Sequence, residues 1–184
     1  METITLLIEE HKNIKRVLKV LRETCLQILD HGEVDFETFY TVLDFLKNYA
    51  ERHHNEEEDV LLKKMEEELD ETATRDSIKG IFAEHQLGQH YIAKLENALE
   101  RVESGEKDAR LDIIANAVAY SDLADEHINK ENNAIYTYAE EHLSSEAIEE
   151  IEKKVREIER IAGKDHMQDK YIKIIDDLET RLAF

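Results

Sequence analysis

An all-α fold is predicted, an up-down-up-down antiparallel four-helix bundle with an additional C-terminal helical segment, and three observations predict it. Proline is absent and glycine occurs only five times in 184 residues, which disfavours β-sandwiches, collagen-like repeats and flexible linkers. Long stretches repeat apolar residues at intervals of three and four, the seam of helices packed side by side. The turns between these stretches are short, which makes consecutive helices antiparallel neighbours.

The first seam reads Ile4, Leu7, His11, Ile14, Leu18, Leu21, Cys25, Ile28 and stops at Asp30-His31-Gly32, with glycine where a C-cap sits. The second follows an N-cap at Asp35 and reads Phe36, Phe39, Leu43, Leu46, Ala50, His53, Glu57, Val60. The third, Ile78, Ile81, His85, Gly88, Ile92, Leu95, Leu99, Val102, ends at Ser104-Gly105. The fourth reads Ile113, Ala117, Tyr120, Ala124, His127, Glu131, Ala134, Tyr138. Residues 1–142 thus form the bundle and 143–184 a helical extension. In the extension, Ile148, Ile151, Val155 and Ile158 make one apolar stripe. Met167, Tyr171, Ile174, Leu178 and Leu182 make another, with Gly163 as a break or kink between them. These stripes would either cover an outer face of the bundle or make a contact with a second copy or a separate protein partner.

Composition narrows the function. Lysine plus arginine total 24 against 44 acids, a net charge of −20, which repels nucleic acid and anionic membrane surfaces. No apolar run approaches a membrane span. The start, METITLLIEEHK, lacks a basic region followed by an apolar one, so no signal peptide is expected. A single cysteine, Cys25, excludes an intramolecular disulfide framework and fits a reducing cytoplasm. Neither a phosphate-cradling glycine loop nor a nucleophile–base arrangement is present.

All four seams carry a histidine, and two carry a glutamate four residues later on the same helical face. Buried histidine and glutamate rarely stand without partners. Their depths agree: His11 lies 17 residues before Ile28 and His53 lies 17 after Phe36, each roughly 25 Å from the turn they share. His85 lies 17 residues before Val102 and His127 lies 14 after Ile113. Imidazoles and carboxylates converging at one level make a metal site. Mixed nitrogen and oxygen donors suit iron, manganese, cobalt or zinc over calcium or magnesium. Six donors exceed what one tetrahedral zinc takes and suit two six-coordinate ions.

The stretches Glu10-His11-Lys12, HHNEEEDVLL (53–62), AEHQLGQH (83–90) and HINKENNAIY (127–136) resemble the hemerythrin-like, HHE cation-binding family over about residues 1–142. The resemblance implies His11, His53, Glu57, His85, His127 and Glu131 as ligands of a non-haem di-iron centre, with Glu57 and Glu131 as bridges. It implies two iron ions, for which the donor set would also accept manganese or zinc. The ligand would be O₂, peroxide or nitric oxide, bound or consumed for sensing, scavenging or stress response. Alternatives are a di-iron enzyme (oxidase, peroxidase, nitric-oxide reductase or iron–sulfur repair factor) and an acidic interaction protein with a structural metal. The oxygen carriers of this family place two histidines four apart on the third helix. Here that position is Gln89, and His90 falls on another face. The repair factors carry an N-terminal cysteine pair that this chain lacks.

The motif at 53–58 holds two overlapping HxxxE pairs. His53 and Glu57 continue the seam and precede Val60-Leu61 by the interval at which His127 and Glu131 precede Ala134-Ile135. His54 and Glu58, about 100° around the helix, are expected to face solvent or to support the ligands. Tyr120 is expected to pack in the core, with a hydrogen bond to metal-bound oxygen as its alternative role.

Overall fold

The computed structural model describes residues 1–69, 71–164 and 166–182, and every regular element among them is helical. Ala183 and Phe184, the end of the expected extension, lie outside the described residues. Helix α1 (Glu2–His31) closes on Gly32, whose left-handed φ of 72° lets its N–H reach the Ile28 carbonyl at 2.8 Å. Asp35 then caps α2 (Phe36–Phe45): its carboxylate accepts from the Thr38 amide at 3.1 Å and the Thr38 hydroxyl at 2.7 Å. Both signals stand in the sequence, and both act as expected.

The second rod departs from a uniform helix. After α2 comes a π-helical stretch, π1 (Leu46–His54), and then α3 (Asn55–Glu68). The joining residues Leu46 and Asn55 keep right-handed helical angles, so the rod is continuous. The wider π turn takes in one more residue than an α turn and shifts everything after it around the axis. Helix α4 (Thr72–Glu103) and a short 3₁₀ turn (Lys107–Ala109) lead to α5 (Arg110–Lys130). A second π-helical stretch, π2 (Glu131–Ile135), precedes α6 (Tyr136–His142). The expected fourth seam is displaced here in the same way. Ala134 is exposed and Tyr138 half-buried, while Tyr136 and Ala139 turn inward.

Two more helices, α7 (Ser145–Lys164) and α8 (Met167–Arg181), follow. The break between them lies just past Gly163, at His166, which holds a left-handed φ of 51°. Of the alternatives for the C-terminal stripes, the structure shows cover. Helix α7 packs on α3 and α1, and α8 on α1 and α2. Ile151 and Val155 join one buried apolar cluster with Leu7, Leu61, Met65 and Ile81. Tyr171, Ile175 and Leu178 join the other, with Leu21, Phe45, Leu95 and Ile113. Between the two clusters runs a layer of buried or partly buried polar side chains, and that layer is the site.

Candidate metal centre

Two pairs of imidazoles face each other across this layer. Nε2 of His11, from α1, lies 3.0 Å from Nε2 of His54, at the end of π1. Nε2 of His85, from α4, lies 3.1 Å from Nε2 of His127, from α5. Outer hydrogen bonds fix which nitrogens point inward. His11 Nδ1 donates to Asn132 Oδ1 at 2.9 Å, His54 Nδ1 to Glu10 Oε2 at 2.8 Å, and His127 Nδ1 to Glu84 Oε2 at 2.9 Å. With the proton on Nδ1, a ring in its neutral form presents its Nε2 lone pair to the interior, the form that takes a metal.

Two carboxylates stand between the pairs. Glu131 spans both, with Oε2 3.4 Å from His11 Nε2 and Oε1 2.7 Å from His127 Nε2. Glu58 Oε2 lies 3.2 Å from His85 Nε2, and its Oε1 accepts from the Tyr136 hydroxyl at 2.6 Å. The ring of Tyr136 also stacks on His11, with centroids 5.7 Å apart. Glu58 and Glu131 are fully buried, yet neither oxygen of Glu131 nor Oε2 of Glu58 takes part in a hydrogen bond. Lone pairs aimed at lone pairs and at buried carboxylates are unfavourable without a cation among them, because a buried polar atom left unpaired costs on the order of 1–3 kcal/mol. The donors therefore fit a bound metal cation, on the chemistry of the donor set alone. Glu58, His85, His127 and Glu131 already bring one donor atom each within 4.8 Å of one another.

The sequence-derived ligand set thus divides. His11, His85, His127 and Glu131 come together, but His53 and Glu57 do not join them. His54 and Glu58, expected to face solvent or to support the ligands, are buried at 3% and 0% exposure and hold the inward positions. The π1 stretch is the physical cause: the added residue carries the inward row from Ala50 to His54 and Glu58, then on to Leu61 and Met65. His53 and Glu57 point to the other side, where α1, α7 and α8 pack against the rod. There His53 Nε2 lies 3.3 Å from Glu10 Oε1 and 3.1 Å from Glu159 Oε1. His90 is exposed on α4, away from both groups. Glu10, Asn132 and Tyr136, which hold the inner ligands, carry no sequence signal of their own. They become legible only when His11 and His54 are placed.

The local fields follow from burial and partners. Burial alone would raise Glu10, but hydrogen bonds from His53 and His54 bring it down to about 2. Burial opposes ionisation of Glu131 as well, and His11 and His127 hold it well below the usual carboxylate range. Burial would lower His127, yet Glu131 raises it to about 9. His53 is likewise held up by Glu10 and Glu159, to about 10. Burial, with Glu10 close by, pushes Glu57 up to about 9.

A cavity of about 40 Å³ adjoins the centre, lined by His54, His85, His127, Glu51, Gly88 and Tyr120 among others. Tyr120 is buried, as expected, and donates from its hydroxyl to Glu51 Oε1 at 3.0 Å. Glu51 Oε2 is buried without a partner, and burial raises the carboxyl above its ordinary range. Gly88 is what keeps this space open. A Cβ there would stand 3.0 Å from Glu51 Oε1 and 3.4 Å from the Tyr120 ring.

The family model for the hemerythrin HHE cation binding domain matches residues 2–139. No curated protein and no solved structure matches the chain.

Proposed function

The chain belongs to the hemerythrin HHE cation-binding family, and from that premise we propose that it is a non-haem di-iron protein that binds O₂, or reacts with peroxide or nitric oxide, in sensing, scavenging or a stress response. The observation that carries the reading is the set of four inward Nε2 atoms arranged in two facing pairs, with Glu131 reaching both. His11, His54, Glu58, His85, His127 and Glu131 are the proposed ligands. The same reading takes residues 1–142 as an up-down-up-down bundle and 143–184 as its cover. Its partner is a small diatomic or peroxide ligand rather than nucleic acid, and a lone buried Cys25 fits a cytoplasmic setting. No helix among the described residues is long and apolar enough to cross a membrane.

A bound iron pair supplies open coordination positions and reducing equivalents to a small oxidant. The chain supplies the rest. The apolar clusters on either side exclude water from the layer. Glu10, Glu84 and Asn132 orient the imidazoles, and Tyr136 orients Glu58. Burial raises the Glu51 carboxyl above its ordinary range. With Tyr120 donating to Oε1, the unpartnered Oε2 is the edge left free to exchange a proton with a guest in the cavity. A carboxyl beside the cavity that can exchange a proton with the guest favours redox turnover, the enzymatic alternative.

The test is metal content of protein purified without oxygen, followed by an optical spectrum before and after air. About two irons and a new visible charge-transfer band are expected, and reversal of the band under vacuum separates carriage from turnover. Zinc alone after iron-replete expression moves the weight to a structural metal, and no metal overturns the reading. Gly88→Ala gives a second check, because the added Cβ would meet Glu51 and the Tyr120 ring and so narrow the cavity. Iron content is expected to hold while the rate of reaction with peroxide or nitric oxide, read by stopped flow, falls roughly tenfold or more.

A further inference from the structure

We propose that Glu10, His53, Glu57 and Glu159 form a second, mononuclear site for a divalent transition-metal ion, placed between the helical core and α7. One donor atom from each lies within 4.8 Å of all the others. Three carboxylates converge on one imidazole nitrogen: from His53 Nε2, Glu159 Oε1 is 3.1 Å away, Glu10 Oε1 3.3 Å and Glu57 Oε1 3.9 Å. A single ring nitrogen cannot satisfy three acceptors. Glu57 is left over, with 0% exposure and no hydrogen-bond partner for either oxygen, its carboxylate aimed into the group. Glu159 Oε1 is buried as well, and its approach to His53 falls short of a formed hydrogen bond. Gln168, from α8, donates its amide to Glu10 Oε1 at 2.8 Å and accepts from the Tyr49 hydroxyl at the same distance, which closes the inner end.

The donor set has a definite preference. Three carboxylates and one imidazole are too hard for a thiolate-seeking ion, and the nitrogen disfavours calcium and magnesium, so iron(II), manganese(II) or zinc fit. An entry path exists. A groove of about 180 Å³, lined by Arg52, His53, Glu56, Ile158, Ile161 and Met167, opens onto His53 from outside. Glu159 comes from the C-terminal extension, beyond the 2–139 match, so the site depends on a helix that the matched region lacks. Glu10 belongs to both places, since its Oε2 orients His54 while its Oε1 faces His53. An ion here would draw on the carboxylate that tunes a ligand of the first centre.

The experiment titrates the metal-stripped full chain with manganese(II), following free ion by electron paramagnetic resonance. One equivalent is expected to weaken roughly tenfold or more in Glu159→Gln and in His53→Gln, with the remaining uptake preserved. Glu159 has a side chain 31% exposed, so its replacement leaves packing intact, which circular dichroism verifies. The same titration in a His85→Ala, His127→Ala chain keeps the two sites separable. One equivalent that still depends on Glu159 sustains this site even where the dinuclear reading fails. Manganese uptake unchanged by both Glu159→Gln and His53→Gln overturns the proposal.

Discussion

Glu58→Ala is expected to cost the chain its iron pair, while Glu57→Ala keeps it. Glu58 carries a buried oxygen aimed at His85, and its other oxygen anchors Tyr136, which stacks on His11. Removing it takes a donor from the interior and leaves the imidazoles without part of their compensating charge. Loss of an outer partner alone costs metal affinity roughly ten- to a hundredfold, so loss of a ligand is expected to reach roughly a hundredfold or more. Glu57 lies on the opposite side of the same rod. Its removal touches the group around His53 and leaves the facing imidazole pairs in place. The measurement is iron per chain after anaerobic loading and desalting, together with the visible band after air. A band lost in Glu57→Ala and kept in Glu58→Ala would return the ligand role to His53 and Glu57.

That contrast also marks where the sequence could be read and where it could not. The Gly32 and Asp35 stops, the first seam and the level at which His11, His85 and His127 meet follow from α-helical spacing and stand in the structure. Family membership was legible from the same spacing. His53 and Glu57 part from the other four because the seam was counted through Leu46–His54 at α-helical pitch, where the chain is π-helical. No residue type announces a π turn, but one downstream signal was available. Leu61 and Met65 extend the row of His54 and Glu58 as a buried apolar stripe, whereas the row of His53 and Glu57 runs on to half-buried Val60 and Lys64. Reading the helix backward from its apolar end gives the observed register. The second rod is buried on two sides because α7 and α8 cover its outer face. A seam analysis that allots one buried face to each helix has no room for that.

Without metal, the chain is expected to be most stable near pH 5 and to lose stability steadily as pH rises toward 10. Glu57, His53 and His127 contribute to the alkaline slope and Glu10 to the acid one. Glu57 has a folded value near 9 against an ordinary 4.5, so above pH 4.5 the folded state holds a proton that the unfolded chain releases, and stability falls. His53 and His127, held near 10 and 9 against 6.5, contribute stability that is complete below pH 6.5 and lost as pH passes through those raised values. For His127 the difference corresponds to roughly 3 kcal/mol between pH 6.5 and 9. On the acid side Glu10, near 2 in the fold, contributes stability present above 4.5 and lost as pH falls toward 2. Metal reverses the alkaline slope. Neutral imidazoles and ionised carboxylates are the ligand forms, so loading releases protons and tightens with pH. Thermal midpoints by circular dichroism from pH 5 to 10, with chelator and with manganese(II), are therefore expected to diverge, the gap widening at each step upward. Parallel profiles would mean that the ion leaves these protons where they are, and that the histidines and carboxylates of the polar layer are not what binds it.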